Sequence, residues 1–91
     1  MRRVHAVVTG QVQGVGFRMA ARDRARELGV TGWVRNRPDG AVEAEVQGDE
    51  IAVERMLAWL DRGPAGAAVA SVDTTEVPTH DLDHGRFDIR P

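Results

Sequence analysis

The apolar pattern of this 91-residue chain predicts an α+β fold in which two helices pack on one face of an antiparallel sheet. Three observations predict it. One stretch alternates strictly between apolar and polar residues. Two stretches repeat apolar residues at helical spacing. The elements follow one another as β-α-β-β-α-β, with a short strand at the end.

Residues 3–9 are rich in β-branched side chains and read as the first strand. Residues 18–28 read as a helix, with Phe17, Ala21, Ala25 and Leu28 on one face at spacings of four, four and three. Arg22, Asp23, Arg26 and Glu27 fall toward water, and Gly29 stops the helix. Residues 30–36 read as a second strand. Arg37-Pro38-Asp39-Gly40 is a turn, because Pro presets φ and Gly accepts the left-handed conformation. Val42, Ala44 and Val46 then alternate with Glu43, Glu45 and Gln47, as in a half-buried strand. The two strands about the turn form a hairpin. Asp49 is placed as an N-cap, and Glu50 lies in the first turn of a second helix. Its buried face carries Val53, Met56, Leu57 and Leu60, and Gly63-Pro64 ends it.

Residues 64–68 read as a loop, 69–77 as a fourth strand, His80 to Gly85 as an exposed loop, and Phe87 with Ile89 as a short last strand. This is the split β-α-β, or ferredoxin-like, pattern. A helical crossover makes its first two strands parallel, so their C-terminal ends share one edge of the sheet. With no internal repeat or linker, residues 1–91 read as one free-standing domain.

Hydrophobic content of 42% and charged content of 29% are ordinary for a globular protein. No apolar stretch is long enough to span a membrane, and the N-terminus lacks the apolar core of a secretory signal. A cytoplasmic protein with no membrane partner is expected. Cys is absent, which removes disulfides, thiolate nucleophiles and Cys-based metal sites. The net charge of −2 argues against a general nucleic-acid binder. Its distribution is uneven. Residues 1–37 hold eight Arg against Asp23 and Glu27, for +6, and residues 38–91 hold four Arg against twelve acids, for −8. The basic half draws in small anions.

That half contains Gly10-Gln11-Val12-Gln13-Gly14-Val15-Gly16-Phe17-Arg18, between the first strand and the first helix. Three glycines in seven residues let the backbone approach a ligand and take positive φ. A loop feeding a helix N-terminus presents unpaired N–H donors and a favourable dipole to an anion. Arg18 adds a permanent cation with a planar fork of donors. The bland alternative is a flexible strand-to-helix connection, with Arg18 facing water.

Several uses of such a phosphate cradle are excluded. A Walker-type loop requires a terminal Lys, and this chain has no Lys. A dinucleotide fingerprint requires a further glycine and a longer parallel sheet. A phosphocysteine intermediate requires Cys, and the only Ser, Ser71, lies mid-strand. What remains is noncovalent phosphate binding beside the amide of Asn36, which ends the second strand at the same sheet edge. An amide is a poor base but positions water well. Such a site suits a phosphate whose leaving group needs no general acid. An acyl phosphate meets that condition, since a carboxylate departs unaided. Backbone N–H groups and Arg18 can stabilise charge on the three equatorial oxygens, with no metal or cofactor required.

The segment Gly10 to Arg18 resembles the first signature of the acylphosphatase family. Gly32-Trp33-Val34-Arg35-Asn36, continuing through Asp39-Gly40, Val42 and Gly48, is similar to the second. The resemblance covers essentially the whole chain in length, motif spacing and element order. It implies hydrolysis of small acyl phosphates to a carboxylate and inorganic phosphate. Carried over by position, Arg18 is the catalytic, phosphate-binding arginine and Asn36 orients the nucleophilic water. The backbone from Gln13 through Gly14, Val15, Gly16 and Phe17 to Arg18 forms the cradle. There are two departures. Arg37 follows Asn36 where many members carry a small hydroxyl residue, and the terminal Phe87-Asp88-Ile89-Arg90-Pro91 lacks an aromatic that some members have. The second departure is expected to bear on packing of the last strand more than on chemistry.

Other candidates read as structural. Asn36 also suits a turn before Pro38. Trp33 reads as a sheet-packing residue, and His5 as structural. His80-Asp81-Leu82-Asp83-His84 invites a metal reading, which two His in an exposed loop support poorly. No metal site is expected. A noncatalytic anion-binding or interaction module on the same fold is the main rival to an enzyme. An RNA-binding module would place aromatics on the central strands, and the first and third have none. A monomer is the simplest expectation.

Overall fold

A computed structural model describes all 91 residues. The elements run β1 (Arg2–Gln11), α1 (Phe17–Leu28), β2 (Thr31–Asn36), β3 (Val42–Gly48), α2 (Glu50–Arg62), β4 (Ala68–Val77) and β5 (Phe87–Ile89). They form one five-stranded sheet in the order β4-β1-β3-β2-β5. β1 and β2 both run antiparallel to the central β3, so they are parallel to each other, as the crossover helix requires.

Each strand sorts its side chains by alternation. Val4, Ala6 and Val8 of β1, Val42, Ala44 and Val46 of β3, and Val34 of β2 point to the helices and are buried. Phe17, Ala21 and Ala25 of α1 and Val53, Met56 and Leu60 of α2 close over them. Small alanines on both layers bring helix and sheet backbones close together. Asp49 caps α2, its carboxylate accepting the Ala52 N–H at 2.8 Å. Gly29 ends α1, its N–H donating to the carbonyls of Ala25 and Arg26.

The structure differs from the sequence expectation in three places. β1 continues two residues past Thr9, through a register shift between Thr9 and Gly10 against β4. Gly10 takes φ 122, and a Cβ there would stand 2.2 Å from the Ala68 carbonyl oxygen, so only glycine allows this close approach. Next, the sheet is mixed rather than wholly antiparallel, because β5 pairs parallel with β2. The reason lies in the chain path. β4 ends opposite Arg3, at the start of β1. The following segment crosses there to the start of β2, so β5 must run the same way as β2.

That crossing segment is the third difference. Residues 80–85 are not simply exposed. Asp83 is 6% exposed and binds the wholly buried guanidinium of Arg3, with Nη1 to Oδ2 at 2.5 Å. Glu45 takes the Nε of the same arginine at 2.6 Å. Burial by itself lowers the pKa of Arg3, but the hydrogen bonds to Asp83 and Glu45 outweigh it and the pKa is raised. The Gln47 side chain exchanges hydrogen bonds with the backbone of His80. Loop and sheet are thus joined by buried polar contacts on the face opposite the helices. Further along that face Glu43 accepts from His5 and Arg35. Burial raises the pKa of this carboxyl, but those two bonds outweigh it and hold it below its usual 4.5. Its contribution to stability is therefore present above about that pH and is lost as pH falls through the depressed value.

Removing one partner of a buried ion pair strands the other charge. Asp83→Ala should therefore cost about 3 kcal/mol, the low end for such pairs because Glu45 still holds Arg3. Urea denaturation checks this, and a loss below about 1 kcal/mol would contradict the buried pair.

Candidate active site

Val42 of β3 pairs with Val8 of β1 on one side and with Asn36 of β2 on the other. The C-terminal ends of the two parallel strands therefore meet at one sheet edge, and the loop after β1 leaves from there. A cavity of about 310 Å³ opens at this edge. Gln13, Gly14, Gly16, Phe17 and Arg18 line it together with Asn36, which is eighteen positions from Arg18 in sequence. Val15 is the exception among the expected loop residues, since its side chain packs against the hydrophobic core.

The loop backbone carries the binding potential. None of the N–H groups of Gln13 to Gly16 donates to another backbone group. α1 begins at Gly16, a left-handed N-cap with φ 75 and ψ 22 and no side chain to cap the helix. No acidic residue lies in the first turn. The first N–H groups of the helix thus have neither a capping oxygen nor a nearby carboxylate. Arg18 sits in that turn, exposed, and takes part in none of the ion pairs of the molecule. A cation at a helix N-terminus opposes the dipole at a cost of roughly 0.3–1 kcal/mol. Gln13, Gly14, Gly16 and Arg18 line one cavity, so unpaired donors, the positive end of the helix and the guanidinium border the same space.

Gln13 does something the sequence did not reveal. Its side-chain amide donates to the carbonyls of Arg37 at 2.8 Å and Ala41 at 3.0 Å. This fastens the loop to the β2–β3 turn, directly after Asn36. The turn is itself braced. Asp39 accepts the Ala41 N–H at 3.1 Å and binds the Arg37 guanidinium at 2.8 Å. The Ala41 N–H, and then the charge of Arg37, hold the Asp39 carboxyl below its ordinary range. Arg37, at the position where a hydroxyl residue was in question, is therefore engaged in bracing the turn.

Val12, Met19 and Ile89 also line the cavity, and the sequence did not single them out. Ile89 arrives because β5 is parallel to β2 and ends at the same edge. The last strand thus bears on the site as well as on packing. Trp33 is a sheet-packing residue: the Arg90 guanidinium lies 4.9 Å from its ring centroid, and His5 meets it edge-on at 6.4 Å. No three His, Asp or Glu side chains group closely enough to share a metal ion. In the His80–His84 segment Asp83 is committed to Arg3, and His80 Nδ1 accepts the Leu82 N–H. A larger cavity, about 710 Å³, lies between the end of α1 and the start of α2. Glu27, Asp49 and Glu50 line it against the single Arg55, so its field is unfavourable to anions.

Fold and site together define a small α+β protein with a glycine-rich loop of unpaired N–H groups at a strand-to-helix junction, sharing one cavity with Asn36. A profile of the acylphosphatase family matches residues 4–89, and the chain belongs to that family. It is 49% identical to an acylphosphatase of Anaeromyxobacter sp. (strain Fw109-5), over 99% of this chain and 96% of the relative. The crystal structure of acylphosphatase from Bacillus subtilis superposes with a TM-score of 0.94 at 34% identity, covering all of both chains. An acylphosphatase from Coxiella burnetii gives 0.91 at 38% identity, over 98% of this chain and 92% of that one. No helix is long and apolar enough to cross a membrane.

The Gln13 bridge predicts that Gln13→Ala lowers stability by about 1 kcal/mol, since two carbonyls lose a donor but regain water. Amide hydrogen exchange should quicken together in residues 12–16 and 37–41. Faster exchange in only one of the two segments would contradict the bridge.

Proposed function

We propose that this chain hydrolyses acyl phosphates to a carboxylate and inorganic phosphate through the cavity between the loop and Asn36. The observation that carries this reading is the convergence there of unpaired loop N–H groups, the unpaired Arg18 and the Asn36 amide. The phosphoryl group sits in the loop. Its oxygens accept from the backbone between Gln13 and Arg18 and from the Arg18 guanidinium. These donors are already oriented, so they stabilise charge on the equatorial oxygens without reorganising during the reaction. The Asn36 amide holds a water in line with the scissile bond, opposite the leaving carboxylate. Water oxygen bonds to phosphorus, and the phosphorus–oxygen bond to the acyl group breaks. The carboxylate leaves with that electron pair, and the water gives up a proton to phosphate and solvent. A carboxylate is a weak base, so no general acid, metal or cofactor is needed to expel it. The acyl part faces Met19 and Ile89 at the mouth of the cavity. A cytoplasmic monomer acting on a small-molecule substrate completes this reading, supported by a chain without Cys and by the family's chemistry.

Benzoyl phosphate tests the reaction directly. Purified protein should accelerate its hydrolysis in the presence of EDTA, and a rate equal to the buffer blank would sink the proposal. Arg18→Ala should lower kcat by about 10²–10³ and abolish competitive inhibition by inorganic phosphate, since it removes a donor to the phosphoryl oxygens. Asn36→Ala should separate binding from turnover. Phosphate inhibition should stay within about threefold while kcat falls on the order of 10²-fold, as expected when only the nucleophile loses its position. Near-normal turnover in that variant would refute the water-positioning role.

A further inference from the structure

Arg24 of α1 and Arg55 and Arg62 of α2 line a shallow cavity of about 290 Å³ on the helical side of the molecule. Trp59 and Ala58 complete its wall, and no carboxylate lines it. Arg55 and Arg62 take part in no ion pair. Arg24 has one, a long contact of 3.7 Å to Glu27. The Nε of Arg24 is also the one buried side-chain nitrogen or oxygen in the molecule that lacks a hydrogen-bond partner. Guanidiniums gathered about one cavity repel each other. An unsatisfied buried donor adds a desolvation cost. The chain has fourteen Asp and Glu against twelve Arg, yet no carboxylate lines this cavity and none bonds the Arg24 Nε; Glu27 reaches Arg24 only at 3.7 Å, and the acids near Arg55 line the neighbouring cavity instead.

We propose that this cavity is a second anion site, separate from the catalytic cradle, and that it takes an oligophosphate chain. The planar fork of each guanidinium matches pairs of phosphate oxygens, and three of them match an anion carrying about three charges. The volume lies near the lower end of small-ligand sites and exceeds what a single phosphate ion fills. The two cavities share no lining residue. Between them Trp59 meets Phe17 edge-to-face, with ring centroids 5.4 Å apart and planes at 65°. Trp59 is thus held rigidly at the wall of the proposed site and reports on its occupancy.

The test uses tripolyphosphate, with ATP as a second carrier of the same phosphate chain and adenosine as the control without it. Arg18→Ala silences the cradle, and Trp33→Phe leaves Trp59 as the only indole. In this double variant tripolyphosphate and ATP should each change Trp59 emission saturably, with a midpoint that rises as salt is added. Adding Arg55→Ala and Arg62→Ala should weaken both by at least tenfold. Calorimetry on Arg18→Ala with Trp33 intact provides the same comparison without altering the sheet. With Arg18 restored, Arg55→Ala/Arg62→Ala should hydrolyse benzoyl phosphate at an unchanged kcat/KM. Oligophosphate binding that survives loss of both arginines would overturn the proposal. So would the absence of saturable binding by either method at millimolar tripolyphosphate, or equal binding of adenosine.

Discussion

Val8, Val42 and Asn36 lie in one row across three adjacent strands, and the meeting of the glycine loop with Asn36 depends on that row. It exists because β1 and β2 flank β3 and run the same way. One strand end delivers the glycine loop and the other delivers Asn36. A slip of one residue in either pairing would turn every side chain of that strand to the opposite face. The alternation of Val42, Ala44 and Val46 against the helices prevents such a slip, since it would bury Glu43 and Glu45 in the core. The apolar core therefore sets the register that aligns the site.

The start of α1 breaks the local rules that α2 obeys. α2 has an aspartate cap and an acid in its first turn, whereas α1 has a left-handed glycine cap, no acid and an arginine. Such a helix start is locally unfavourable, and it persists because the surroundings hold it. Phe17 anchors the first turn in the core at 2% exposure, and Val12 anchors the entry to the loop at 0%. Gln13 ties the middle to the β2–β3 turn. The donors stay oriented because apolar anchors sit at both ends and a side-chain clamp lies between.

The outer face of the sheet solves a different problem. No helix covers it, yet Arg3 is wholly buried there by Asp83, Glu45 and the loop that carries Asp83. That pair pins the segment that carries the chain from β4 across to β2, after which β5 runs parallel to β2. β5 in turn brings Ile89 to the wall of the cavity.

Sequence alone determined the elements, their order and the two segments that line the cavity, because alternation, helical spacing, caps and turn residues are local signals. Gly29, Asp49 and the Pro38-Asp39-Gly40 turn act as their chemistry dictates. The pairing of the glycine loop with Asn36 was legible as well, since strands joined by a crossover helix run parallel and end at one edge of the sheet. Only the tertiary structure decided the direction of β5, the burial of Asp83, the tether at Gln13 and the arginines gathered around Trp59. Each depends on which residues distant in sequence become neighbours. A glutamine in a loop or an aspartate after a strand carries no mark of a partner twenty-four or eighty positions away. Such partners are chosen by packing, and packing is settled only when the whole sheet and both helices are in place.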